Sequence, residues 1–403
     1  MEIQWGTGRA RISVIESDVF RVRICRDRFK RDCSWAIEGT IPETKSDETR
    51  TPSGSLLLNE SDQSWILRDA KIHEILKGSA IGFKEGRPFI QFDLHERDRI
   101  FGLGETTGPM DKRGLRRELW NIDVLGHAPG IHPLLRSLYV SIPFALILRD
   151  GRAAGIFWDN PARQVWDLGN AAPNIARFEC DHGEVNLYFF LGPTIPQILQ
   201  RFTELTGRMP LPPRWALGFH QCRYSYESAE RVLEVAANFR ARQIPCDALY
   251  LDIDHMRGYR VFTFGKTFPD PNALTTALAK SGFKTVAIVD PGVKNDHKFG
   301  VLKRGLAQNA FVKAPGGKRD YVGKVWPGWS RYPDFLRARV RSWWAREQQA
   351  LHRAGVAGIW NDMNEPANFA LPSKTLPPDC AHQTDFGPAA HVEVHNVYGM
   401  QMA

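Results

Sequence analysis

From residue 214 onward one pattern recurs four times: a short, almost uninterrupted apolar run ending in polar residues, paired with a longer segment of helical spacing. RWALGFHQ (214–221) leads to YESAERVLEVAANFRARQ, and CDALYLDID (246–254) leads through a loop to PNALTTALAKSG. FKTVAIVD (283–290) precedes an insertion, after which DFLRARVRSWWAREQQALHRAG feeds GVAGIWND (355–362). Near-continuous apolar strands covered by amphipathic helices indicate a parallel sheet. A doubly wound sheet and an eight-stranded barrel both contain such units. A dinucleotide-type sheet needs a glycine-rich phosphate loop after its first strand, whereas ALGFHQCRY has one glycine followed by aromatic and polar groups. The pattern therefore favours the first four βα units of a (β/α)8 barrel over 210–403.

The preceding residues have a different period. RISVIESDVFRVRICRD, SWAIEG, SGSLLLN, RPFIQFDLH, LYVSIPFALILRD, GRAAGIFWDN and VNLYFFLG are β-branched or aromatic runs broken by Gly, Asp and Pro, which predicts an antiparallel β-sandwich over 1–209. TIPQILQRFTELTGR (194–208) changes to helical spacing, with Thr194 as the expected cap and Gly207 near the end. MPLPPRW (209–215) can continue neither element and marks the domain boundary.

A formal charge of +8 raises the question of a nucleic-acid partner, but the basic runs are scattered: RVRICRDRFKRDC (21–33), KRGLRR (112–117) and RARVR (337–341). None accompanies a nucleic-acid-binding motif, so the expectation is solvated basic surface and no nucleic-acid partner. Six cysteines without ligand spacing read as reduced thiols. The N-terminus has no apolar core behind a basic segment, and no stretch of 18 uncharged apolar residues follows. A soluble, cytoplasmic protein without a membrane partner is expected. Twelve tryptophans and 23 phenylalanines suit large cores and also sugar faces, whose axial C–H groups pack on rings.

In a barrel of this kind the carboxyl ends of the strands face the active site. Those ends carry His220 and Gln221, then Asp252 and Asp254, then Asp290, then Asp362 and Glu365. Each acid alone could cap a helix or bond a loop, but as a set they repel one another unless a ligand uses them. Asp252, Asp254 and Asp362 with His255 could hold a divalent ion. Trp326, Trp360 and Met363 are large apolar walls, better suited to a sugar than to a hydrated metal. Neither a cofactor nor a metal is expected. Glycoside hydrolysis needs two carboxyl groups, about 5–5.5 Å apart for retention, and sequence spacing does not identify the pair.

DIDHM (252–256), WPG with the following PDF (326–335), WNDMNEP (360–366) and HNVYG (395–399) together resemble glycoside hydrolase family 31, the retaining alpha-glucosidase family. FGLGE (101–105), LWNID (119–123) and YVSIPF (139–144) resemble its N-terminal, galactose-mutarotase-like sandwich, and MPLPPRWALGFHQCR its entry to the barrel. The resemblance implies that Asp362 is the nucleophile of a covalent glycosyl-enzyme and that Asp252 holds the O4 side of the nonreducing sugar. It makes Glu365 a supporting neighbour of the nucleophile, Trp326 and Trp360 walls of the first sugar pocket, and Met363 a residue against that pocket. Ile253 and Asp254 have the alpha-glucosidase character, which favours a substrate with a C6 hydroxymethyl. Asp123 resembles a residue that leans toward the leaving-group sugar. The implied substrate is a terminal alpha-linked glucoside or oligosaccharide. His220, His255, His395 and Asn396 are expected in packing or supporting roles, and Asp290 as a turn cap or a pocket support.

The family's acid/base aspartate lies in a later segment that resembles WTGDN, and no such string is present. The expectation is an N-terminal part of the enzyme, truncated within the barrel and inactive alone, with a complementary C-terminal chain as a partner that completes it. The alternative is a non-catalytic carbohydrate-binding protein.

Overall fold

Strict alternation of buried and exposed residues opens Gly8–Glu16, whereas Val185–Gly192 is buried almost throughout. The difference reflects position. Val185–Gly192 lies inside a sheet covered on both faces, by sandwich core on one side and by the helix Ile195–Thr206 on the other. The computed structural model describes residues 2–39, 49–124 and 137–403. They form two compact units, Met1–Met209 with Val392–Val397 and Pro210–His391 with Tyr398–Ala403.

In the first unit, among the described residues, a seven-stranded antiparallel sheet runs in the order Glu2–Trp5, Gly8–Glu16, Val19–Cys25, Val185–Gly192, Arg152–Trp158, Ser141–Arg149, Arg99–Gly104. A five-stranded sheet (Arg116–Leu119, Gln164–Leu168, Ile175–Cys180, Arg87–Asp93, Ala80–Lys84) and a smaller one spanning Arg50–Gly78 complete the sandwich. Trp166 stacks on Phe178 at 3.8 Å, Phe92 meets Phe178 edge-on at 5.2 Å, and Trp65 reaches Phe189 at 5.0 Å. These rings bury the apolar area that holds the sheets together. Gly155 allows the helix onto the outer face of the large sheet, because a Cβ there would lie 2.8 Å from Ile198 Cγ2.

Three expectations are corrected here. SWAIEG forms bends rather than a strand, since the Ser34 hydroxyl accepts from the amides of Ala36 and Ile37 and so curls the backbone. Thr194 occupies the N-cap position of the helix, but its hydroxyl bonds Gln197 Oε1 at 2.7 Å instead of a backbone amide. The basic runs are not merely solvated. Arg21 is buried with both guanidinium ends on Asp32, Arg23 is buried against Glu184, and buried Arg117 donates to the Thr107 carbonyl.

The second unit contains the parallel sheet. Its four strands, His220–Gln221, Ala248–Leu251, Lys284–Val289 and Gly358–Asn361, pair in sequence order. The helices Ala229–Ala241, Pro271–Lys280 and Ala338–Arg353 alternate with them, and a further helix, Gly300–Ala307, occupies the insertion. Ser228 and Asp270 cap the first two helices by accepting from the Arg231 and Ala273 amides. The first strand is shorter than RWALGFHQ predicts. Arg214–Leu217 forms a 3-10 turn behind Pro212 and Pro213, so pairing starts only at His220.

Candidate active site

Side chains alternate across a strand, so the register sorts the residues of the parallel sheet into two faces. His220, Ala248, Tyr250, Val286, Ile288, Gly358 and Trp360 share one of them. Continued past the strand ends, the same parity brings Cys222, Asp252, Asp290 and Asp362 to the carboxyl rim. Below the rim an aromatic layer is already satisfied: His220 Nδ1 lies 3.0 Å from the Tyr250 hydroxyl, His220 Nε2 lies 3.1 Å from the Trp215 carbonyl, and Tyr250 meets Trp360 edge-on at 6.0 Å. His220 therefore supports the floor of the site.

Asp252 is buried, and its carboxylate accepts from the Ile253 amide at 2.6 Å. Burial raises its pKa above the ordinary carboxylate range, and the negative charges of Asp362 and Asp254 push it the same way. His255 fixes this loop by bonding the Asp252 carbonyl through Nδ1 at 2.8 Å. Burial lowers the His255 pKa to about 4, so the ring is neutral near pH 7. Ile253 is buried, whereas Asp254 is half-buried and its charge acts on the Tyr259 hydroxyl.

Asp362 is partly exposed at the end of the fourth strand. Its amide extends the ladder to the Val289 carbonyl at 3.2 Å, and its Oδ1 accepts from the Met363 amide at 2.9 Å. Met363 is buried and has φ of +55°, an uncommon conformation for a side chain of this size. The chain turns sharply there, and buried Glu365 follows two residues later. This loop is stitched to the hairpin Gly323–Arg331 by Phe369 N to Lys324 O (2.7 Å) and Lys324 N to Asn368 Oδ1 (3.0 Å). Trp326, at the hairpin turn, meets Phe369 edge-on at 5.0 Å.

The second, third and fourth strand ends thus gather their acids. Asp252 and Asp362 act on each other, and Asp290 experiences Asp362, Asp252 and Glu365. The sequence reading did not single out Cys222, an exposed residue whose thiol is partly desolvated at the rim, so that desolvation and then the charges of Asp252 and Asp362 raise its pKa to about 11. The available signal was its position, two residues beyond His220 on the same face. No group of three or more His, Cys, Asp or Glu side chains among the described residues is arranged to hold a metal ion.

Asp123 belongs to the first unit, where it is buried just beyond the strand Arg116–Leu119. In that unit LWNID meets HNV (395–397), 275 residues later in the chain for the pair Asn121 and Asn396. Asn121 N donates to Asn396 Oδ1 at 2.9 Å, His395 Nε2 lies 2.7 Å from the Asn121 carbonyl, and the His395 ring stacks on Trp120 at 3.5 Å. His395 and Asn396 are thereby accounted for as packing groups.

Two family models match the chain: the glycosyl hydrolases family 31 TIM-barrel domain over residues 209–403 and the glycosyl hydrolase 31 N-terminal galactose mutarotase-like domain over residues 9–167. Alpha-glucosidase 2 of Bacillus thermoamyloliquefaciens is 44% identical over 311 residues, which is 77% of this chain and 39% of that protein. Human neutral alpha-glucosidase AB is 33% identical over 339 residues, covering 77% of this chain and 35% of its own length. Among solved structures, a Flavobacterium johnsoniae family 31 dextranase complexed with glucose superposes with a TM-score of 0.86 at 28% identity, covering 98% of this chain and 49% of that one. The chain therefore spans about half or less of the length of the relatives it matches. The site sits where such a barrel places its chemistry, and the models account for both units: the chain belongs to glycoside hydrolase family 31.

Proposed function

We propose that the chain carries the nucleophile half of a retaining alpha-glucosidase site acting on terminal alpha-linked glucose. The observation that carries this reading is the convergence of Asp252 and Asp362 on one face of the sheet, at the ends of the second and fourth strands that flank the third, with Trp360 directly below Asp362 on the same strand. Asp362, partly exposed and oriented by the Met363 amide, attacks the anomeric carbon and forms a covalent glycosyl-enzyme. Asp252, fixed by the Ile253 amide and the His255 turn, holds hydroxyls of the nonreducing sugar. Trp326, Trp360, Ile253 and Met363 shape the first sugar pocket, Asp254 favours a glucoside, and Glu365 supports the nucleophile loop. Gathering several acids costs desolvation and repulsion in the empty site. The positive charge that develops in an oxocarbenium-like transition state offsets that cost when it is most useful.

Leaving-group departure from an ordinary glycoside requires a second carboxyl group that donates a proton. We assign that group to further polypeptide that pairs with the fourth strand, whose other edge has no neighbour among the described residues. The names of the relatives support an alpha-glucoside substrate.

The test compares two leaving groups on the 403-residue protein. Alpha-glucosyl fluoride departs with little acid assistance and should release about one equivalent of fluoride in an Asp362-dependent burst, whereas maltose, whose sugar alkoxide cannot leave without a proton, should be left essentially intact. Efficient cleavage of both, lost in D362A, would refute the proposed absence of the acid. Glucose binding with neither substrate consumed would favour the binding-only reading.

A further inference from the structure

Asp290 is the buried acid that this assignment leaves unused. It ends the third strand at 2% exposure, and its Oδ1 has no hydrogen-bond partner among the described residues. It caps no helix, because the next one begins only at Gly300. Ile288 pairs with Trp360, and the Asp362 amide bonds the Val289 carbonyl, so Asp290 and Asp362 are successive same-face residues on neighbouring strands. The charged groups acting on Asp290 are all acidic: Asp362 and Glu365 from beyond the fourth strand, and Asp252 from the second. A buried carboxylate with an unmade hydrogen bond and three acids around it is a costly arrangement, and retaining the proton removes most of the cost. The same proton turns the orphan oxygen into a donor on the strand that neighbours Asp362.

We propose that Asp290 is a positioning residue, a neutral carboxylic acid that gives a hydrogen bond to ionised Asp362 and holds it for attack. The proposal rests on the reading of Asp362 as nucleophile. Asp290 neither touches the anomeric carbon nor transfers its proton in the reaction. As pH rises and Asp290 ionises, it places a second charge beside Asp362 and the arrangement fails.

Two measurements on the full chain test this. Infrared difference spectra of wild type against D290N, near pH 7, should contain one protonated-carboxyl band that the variant lacks; absence of that band overturns the proposal. Covalent labelling of Asp362 by 5-fluoro-alpha-glucosyl fluoride should persist in D290N within about threefold, because an amide donates a similar bond, and fall by about tenfold or more in D290A. Labelling should decline at high pH in wild type and not in D290N. Equal loss in D290N and D290A, with both variants folded by thermal melting, overturns the positioning role. Failure of wild type to label at all counts against the nucleophile assignment, while the infrared band still decides the protonation of Asp290.

Discussion

At the scale of single residues, the rim acids were legible only as positions. Asp252, Asp290 and Asp362 all read as polar residues closing apolar strands, and nothing in their spacing separates a catalytic group from a turn cap. What separates them is environment: Asp252 accepts the Ile253 amide, Asp362 accepts the Met363 amide, and Asp290 Oδ1 accepts nothing among the described residues. Burial raises the Asp290 pKa well above the ordinary range, with Asp362, Asp252 and Glu365 adding to the shift. The sign follows from linkage. The folded state holds this proton more tightly than the unfolded state, so stability falls as pH rises from about 4 to the raised folded value. D290N removes that proton-linked term. Its stability advantage over wild type should therefore widen by up to about 1.4 kcal/mol per pH unit across this window, as read from urea unfolding at several pH values. Asp252, as a binding rather than an attacking group, gives a different expectation. D252A should slow labelling of Asp362 by about 10- to 100-fold through lost charged hydrogen bonds, while the adduct still forms; intact-mass time courses distinguish this from abolition.

At the scale of elements, the four strand-and-helix units were legible because a buried parallel strand has no polar face to obscure it, as in Lys284–Val289. Where sequence reasoning fell short, a local competitor intervened: Pro212 and Pro213 turn Arg214–Leu217 into a 3-10 segment, and the Ser34 hydroxyl bends 34–37. Strands such as Arg116–Leu119 and Gln164–Leu168 escaped notice because buried Arg117 and Gln164 look like surface residues until their hydrogen bonds are seen. The fourth strand has a further consequence. Ile359 is 38% exposed, and a cavity of about 220 Å³ lies between it and the helix carrying Gln348 and His352. A parallel strand with an open edge and an exposed apolar residue invites pairing with another chain. Ile359→Lys should reduce self-association in sedimentation velocity while changing unfolding stability by less than about 0.5 kcal/mol, as expected for a surface site.

At the scale of the molecule, the sequence separates two units at the proline-rich segment, and the fold adds an exchange it did not announce: Val392–Val397 packs with the first unit, where His395 and Asn396 hold the LWNID turn. The two motifs became one contact only when the chain was folded, since residues so far apart share no local signal. Because the parallel sheet carries only the nucleophile side of the proposed chemistry, activity on ordinary glucosides should be a property of a closed barrel. Supplying a C-terminal half from a family 31 relative should restore maltose hydrolysis in a colorimetric assay, and D362A should abolish it. The central claim is narrower and concerns one bond. Peptide mass spectrometry after incubation with 5-fluoro-alpha-glucosyl fluoride should locate a single fluoroglucosyl adduct on Asp362, absent in D362N; an unmodified Asp362, or an adduct on Asp252 or Glu365 instead, would contradict it.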